Sequence, residues 1–374
     1  MGVSSSSLYD FLGVSSPCGT TAPEKLGTVE CILQHMEVNM RILLACLFPS
    51  LRAAHQAAPL RLDSLEVSAS CIAINNSRHS FRTILEPSGG SSPSRVLYEY
   101  KGPGTKRGTV ALPLNFNVAE VISKQVTNFF GGPRTTVVKH FEINMANFQL
   151  PTEVKLLVRG VTIKGNQLEE VMPILDPASF PLAYLSVKVS GPNDPVFQNP
   201  ILREAKALHI GIPEQSYDRA VLFEDPTLIK DQKCDHKGMW VDTICNLPNS
   251  SISMFNGTLS GTNLAGLAQN WIANPREIGT TFSMSEKHKG CLYFVKHELE
   301  ADTGELLVER PSKTCIVRQI NETSELVIYS CKSPNYEHEL LLDGIGFPWK
   351  TVMEVMAVGS VNRMELDLLD IRYF

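Results

Sequence analysis

The chain has 374 residues and nine cysteines, is 43% hydrophobic and 20% charged, and carries a net charge of −5. That length admits two domains or one large β-rich one, and the composition excludes a mostly disordered chain. The acidic balance argues against a uniformly basic nucleic-acid coat, and no apolar run approaches the ~18–20 residues needed to span a bilayer. The longest such run, Ile42 to Leu51, carries Pro49.

Residues 1–23 are rich in Ser, Thr, Gly and Pro, the composition of a flexible tail. They open Met1-Gly2-Val3-Ser4-Ser5-Ser6. This fits the N-myristoylation pattern, in which Gly2 supplies an amine with no side chain beside it and Ser6 fills the favoured hydroxyl position. One acyl chain holds a membrane only marginally, so a second signal is expected. Tyr9-Asp10-Phe11-Leu12 follows. Tyr9 and Leu12 read either as a Tyr-x-x-Leu adaptor motif or as part of a hydrophobic tuck against the domain.

Val29, Ile32, Leu33, Met36, Met40, Leu43, Leu44 and Leu47 recur at the spacing of one helical face. The spacing predicts one long amphipathic helix over about 23–47, ended by Pro49. It suits a core helix, with a dimerisation or membrane-surface helix as the functional alternatives. Period-two alternation then marks strands at Leu65–Cys71 and Val96–Tyr100, separated by a Pro/Gly/Ser loop at 87–93. Lys101 to Thr109 is glycine-rich and basic but lacks the Gly-Lys-Ser/Thr close of a phosphate loop. Lys101, Lys106 and Arg107 are candidates for lipid head-group contact, the plain alternative being a solvated hairpin tip.

Asn117 with Glu120 three residues on predicts a capped helix that stops at Gly131-Gly132. Strands are expected at 135–143, 152–163 and 182–190. Pro192, Asp194, Pro195 and Pro200 then break the pattern. The charge changes sign at the same place: residues 1–190 hold 17 basic and 14 acidic side chains, residues 191–374 hold 17 and 25. Beyond the break, strands are expected at 206–212, 291–298, 313–320, 325–331, 350–358 and 364–372, with one helix from Leu264 to Ile272. The fold class is therefore mainly β with a few helices. Two β-sandwich-like lobes, 24–190 (mildly basic) and 191–374 (acidic), follow an acylatable tail at 1–23 and the long helix.

The cysteines are widely spaced with no Cys-x-x-Cys, and Cys234, His236, Cys245, His288 and Cys291 match no common zinc module. No metal or cofactor is expected, and the compartment reads as reducing. Hydrolase, metalloprotease, dinucleotide and kinase signatures are missing from the sequence. His140 and Glu142 share one strand face, as a surface pair does more often than an acid–base couple. The expectation is a protein without enzymatic activity; a cytosolic enzyme of unrecognised class is the third alternative, because triads assemble in space.

An acylatable tail with a Tyr-x-x-Leu tetrad, a long first helix and two β-rich lobes together resemble the matrix proteins of enveloped negative-strand RNA viruses. Leu62–Phe81 and the stretch from Leu182 to Pro195 look like the paramyxovirus form. The resemblance implies a membrane-peripheral structural protein that drives assembly and budding under the lipid envelope. It implies location at the cytoplasmic face of a host membrane and in the virion. The implied partners are the inner leaflet, further copies of the chain, the nucleocapsid, glycoprotein tails and host budding adaptors. A viral movement or nucleic-acid/host-interaction protein with a β-rich core is the second alternative.

Overall fold

A computed structural model describes residues 26–84, 95–102, 108–111, 117–132, 135–144, 151, 153–164, 168–212, 239–255, 259–286, 292, 295–299, 315–332 and 349–360. The chain divides into two compact units, Met1–Leu182 and Ala183–Phe374. The division falls ahead of the Pro-rich break because Tyr184–Lys188 is a strand that pairs with Ala207–Gly211 and so belongs to the second unit.

The expected long helix is two helices, α1 (Leu26–His35) and α2 (Val38–Leu47). Glu37 leaves helical geometry at φ −55° and ψ 134°, and its carboxylate accepts from the Met40 amide at 2.9 Å, capping α2. The apolar spacing runs through this break, since periodicity registers side chains and not a capping carboxylate. Pro49 ends α2 as expected; a short turn, Pro49–Leu51, leads into α3 (Arg52–Ala57). Arg41 on α2 is only 2% exposed. Its Nε donates to His55 Nδ1 at 3.0 Å, and its Nη atoms donate to the carbonyls of Pro59 (2.7 Å), His55 (2.7 Å) and Ala58. Those carbonyls close α3 and enter the first strand, where a helix end leaves acceptors without partners.

The sheet of the first unit contains β1 (Leu60–Ser68), β2 (Cys71–Ile74), β3 (Ser77–Ile84), β4 (Arg95–Lys101), β5 (Gly108–Ala111), β6 (Thr136–Asn144) and β7 (Leu156–Ile163). Its order is β7-β6-β1-β2-β3-β4-β5. The strands β1 to β5 form an antiparallel meander, while β6 runs parallel to β1 and β7 parallel to β6. Helix α4 (Val118–Phe130) crosses β2 and β3. Asn117 caps it by accepting from the Glu120 amide at 2.8 Å, and Val121, Ile122, Val126, Phe129 and Phe130 face the sheet. It stops where expected. The Gly131 amide donates to the Thr127 carbonyl at 2.7 Å, an approach that leaves no room for a Cβ, and Gly132 takes φ +109°. A short α5 (Leu168–Val171) follows β7, starting at the Glu169-Glu170 pair.

The second unit contains β8 (Tyr184–Lys188), α6 (Pro200–Glu204), β9 (Ala207–Gly211), α7 (Met239–Cys245), β10 (Ser251–Phe255), α8 (Gly261–Ala273), β11 (Thr281–Glu286), β12 (Cys315–Gln319), β13 (Ser324–Lys332) and β14 (Trp349–Ala357). Its sheet runs β8-β9-β10-β11-β14-β13-β12. The four strands β8 to β11 are parallel, and β14, β13 and β12 continue antiparallel. Parallel neighbours need crossovers, here supplied by α6, α7 and α8. Ser260 caps α8, accepting from the Asn263 amide at 3.2 Å, and Asn274-Pro275 ends it.

The chain is mainly β, as expected; among the described residues its strands form a large sheet and not the expected sandwiches. The described strands of each unit lie in one sheet, and helices pack on it. Helix is also more abundant than the few segments expected: α3 and α7 were not foreseen, and 295–299 is helical where a strand was expected. Among the described residues, no helix is long and apolar enough to cross a membrane.

Candidate functional site

Successive residues of a strand point to opposite faces, and paired residues point to the same one. Applied to the second unit, the register gives two faces of different chemistry. On one lie Leu208 and Ile210 (β9), Ile252 and Met254 (β10), Phe282 and Met284 (β11), Met353 and Val355 (β14), and Leu326 and Ile328 (β13), all at most 2% exposed. Helix α8 packs here against β13, contributing Leu264, Leu267 and Trp271. Each such side chain is worth about 1.5–3 kcal/mol when fully buried.

The other face carries hydroxyls and titratable groups in lateral rows, beside an apolar cluster of Cys315, Val327 and Met356 toward β12. In the middle row the register sets Ser186, His209, Ser253, Ser283, Val352 and Tyr329 side by side. On one side of it lie Tyr184, Ala207, Ser251, Thr281, Glu354 and Val327. On the other lie Lys188 beside Gly211, then Phe255, then Ser285 beside Lys350 and Cys331. Ser253 Oγ and Ser283 Oγ are bonded at 2.8 Å, and Thr281 Oγ1 donates to Ser251 Oγ at 2.9 Å. Ser253, Ser283 and Ser285 are buried, while His209, Phe255, Tyr329, Lys350 and Glu354 are half-buried and Lys188 is exposed.

The electrostatics bind these rows together. Burial lowers the His209 pKa, and the Lys350 charge lowers it further, so the imidazole is neutral at pH 7. Its ring lies 5.8 Å from that of Tyr184 and 5.7 Å from that of Phe255, centre to centre. Burial raises the Cys331 thiol, with Lys350 opposing. Tyr329 is pushed up to about 12 by burial and then by the neighbouring Glu354 charge, and burial also raises Glu354 while the Tyr329 hydroxyl donates to it. The face thus offers hydroxyl donors, a neutral imidazole and ammonium groups around a common strip.

The first unit has a polar group of another kind. His79 (β3) lies beneath α4, its Nδ1 2.9 Å from Tyr98 Oη, with the Tyr100 and Phe129 rings 5.1 and 5.0 Å away. Burial lowers its pKa to about 4. It is enclosed on the sheet side of a packed helix and reads as core.

Gly2, Tyr9, Leu12, Lys106 and Arg107 lie outside the described residues, as do Cys234, His236, His288 and Cys291. Lys101 ends β4, exposed, and pairs in register with exposed Arg78 of β3. Glu142 faces Lys164 at 2.7 Å in a surface ion pair. No group of three or more His, Cys, Asp or Glu among the described residues is arranged to hold a metal ion. The hydroxyl face was missed because β10 and β11 were missed. Their signal is present as twin alternations, Ser251-Ile-Ser-Met and Thr281-Phe-Ser-Met-Ser, in which a hydroxyl residue holds every outward position.

No curated protein and no solved structure matches the chain. Residues 118–288 match the family described as a domain of unknown function, DUF3557, a span from α4 to just beyond β11 that includes His209 and the three buried serines but not Lys350.

Proposed function

We propose that the protein works by binding rather than by catalysis, with the polar face of the C-terminal sheet as its recognition surface. The observation that carries this reading is the split between the two faces of one sheet. The α8 side is apolar apart from the Ser330–Thr351 hydroxyl pair, whereas the other side gathers Ser251, Ser253, Thr281, Ser283 and Ser285 on the adjacent strands β10 and β11. Burying hydroxyls instead costs desolvation, which Ser253 and Ser283 offset in part by bonding each other. The test is photo-crosslinking from positions 186 and 188 on that face, with position 277 on an exposed turn as the control. A saturable adduct formed only from the face, and competed by unlabelled chain, is expected. Equal labelling from all three positions would refute the reading.

A second reading, the membrane-peripheral and matrix-like role, is favoured by a separate observation. Ile32, Met40 and Phe48, on and just after the first two helices, are 58%, 50% and 50% exposed, and Arg78 with Lys101 forms an exposed basic pair. In this form Gly2 carries a myristoyl group, Lys101, Lys106 and Arg107 meet head groups, Tyr9 and Leu12 engage an adaptor, and self-association multiplies weak anchors. Gly2→Ala is then expected to abolish flotation with membranes from eukaryotic cells, and intact mass to show an acyl adduct replacing Met1. Equal flotation of mutant and wild type would remove this reading.

A further inference from the structure

The chemistry of the polar face narrows its ligand class, and that assignment rests on the face being a recognition surface. We infer that the face holds a phosphate-type dianion, free or as a monoester, between Lys188 and Lys350 over the strip formed by Gly211, Phe255 and Ser285. The two lysines stand on the same lateral row, one on β8 and the other on β14. With β9, β10 and β11 between them, four strand spacings put their backbones about 19 Å apart. A lysine stem reaches about 6 Å, so two that lean inward leave about 7 Å, the width of one phosphate with an ammonium on either side.

The Lys188 stem leans inward. The Lys188 Cγ lies over β9, 3.4 Å from where a Cβ on Gly211 would stand. Lys350 stands on β14, and its charge acts both on His209 toward β9 and on Cys331 of β13. On this strip lie Gly211, the Phe255 ring and the Ser285 hydroxyl, and the Ser253 and Ser283 hydroxyls stand one row away; serine hydroxyls donate to anions. His209 is neutral and adds a ring nitrogen without adding charge. The described carboxylates on this face stand elsewhere: Glu354 is opposite Thr281 and engaged by Tyr329, and Glu325 lies toward β12. Two cations with hydroxyl donors and, among the described residues, no carboxylate between them match a dianion better than a neutral polar group or a cation.

The test uses the full chain at constant ionic strength. Calorimetric titration with inorganic phosphate and with phenyl phosphate, and flotation with vesicles of phosphatidylcholine with or without phosphatidic acid, separate the free, ester and lipid sources. Saturable binding of at least one probe is expected, weakened about tenfold or more by Lys188→Gln and by Lys350→Gln with thermal midpoints unchanged. Absence of binding to all three probes, or wild-type affinity in both glutamine variants, would overturn the anion site; the crosslinking result then still decides whether the face binds a partner. Turnover of phenyl phosphate that His209→Ala abolishes would uphold the anion site and overturn the non-catalytic reading.

Discussion

Arg41 has no carboxylate partner among the described residues, yet it is almost completely enclosed, and the reason is the set of carbonyls it meets. Replacing it with Met keeps most of the stem's volume and removes every donor. Pro59, His55 and Ala58 then lose a charge-assisted hydrogen bond each, and the His55 ring nitrogen loses its donor. A buried acceptor left without a partner costs about 1–3 kcal/mol, and water entering the vacated space recovers part of it. The expected loss is about 3–5 kcal/mol, the range found when one side of a buried charged contact is deleted. Because the chain has two units, one global unfolding curve is the wrong instrument. Amide hydrogen exchange by mass spectrometry reads the site locally. Peptides covering 52–62 are expected to exchange about 10²-fold to several thousand-fold faster in Arg41→Met, with β12 to β14 unchanged. Arg41→Lys, which keeps a charge and three donors on one nitrogen but not the planar fork that reaches separate carbonyls, is expected to fall between. Exchange within about fivefold of wild type in the Met variant would show that the guanidinium is not what fastens α2 to the end of α3.

Three further outcomes concern the first unit. His79 has a folded pKa of about 4 against 6.5 unfolded, so the unfolded chain takes up its proton first as pH falls. Its contribution is fully present above pH 6.5 and is lost between there and about pH 4, up to about 3 kcal/mol. Hydrogen-exchange protection of the β3 and α4 peptides in wild type and His79→Phe is expected to converge or cross as pH falls through that window, and parallel dependences would contradict it. Gly131→Ala places a methyl against the Thr127 carbonyl and is expected to cost about 1–3 kcal/mol in the protection of α4. Asn117→Ala, which removes only the cap, is expected to cost about 1 kcal/mol in the same peptides.

How much of the fold was legible depends on which physical signal wrote each element. Helix α4 was readable because both its ends are chemical: an Asn at the cap and a Gly pair at the stop. The strands β4, β6, β9, β12, β13 and β14 were readable from alternation or apolar runs. Pairing partners were not, since a strand's sequence does not say whether its neighbour runs parallel to it. That is why sandwiches were expected where each unit has one sheet covered by helices. The break at Glu37 was hidden by an apolar spacing that continues across it. His209 and Lys350 are separated by most of the second unit in sequence, and only the strand order brings them to one face.

The two-faced sheet of the second unit also divides the labour among adjacent codons. Ile252 and Ser253 are neighbours in the chain, yet one lies under the helices and the other on the hydroxyl strip; Phe282 and Ser283 repeat the arrangement. Substitutions at 252, 254, 282 and 284 should therefore lower how much protein accumulates. Those at 253, 283 and 285 should leave its amount closer to normal and alter what it holds. A saturation scan scored separately for abundance and for ligand capture should show two interleaved combs along β10 and β11, each with a tooth at every second residue.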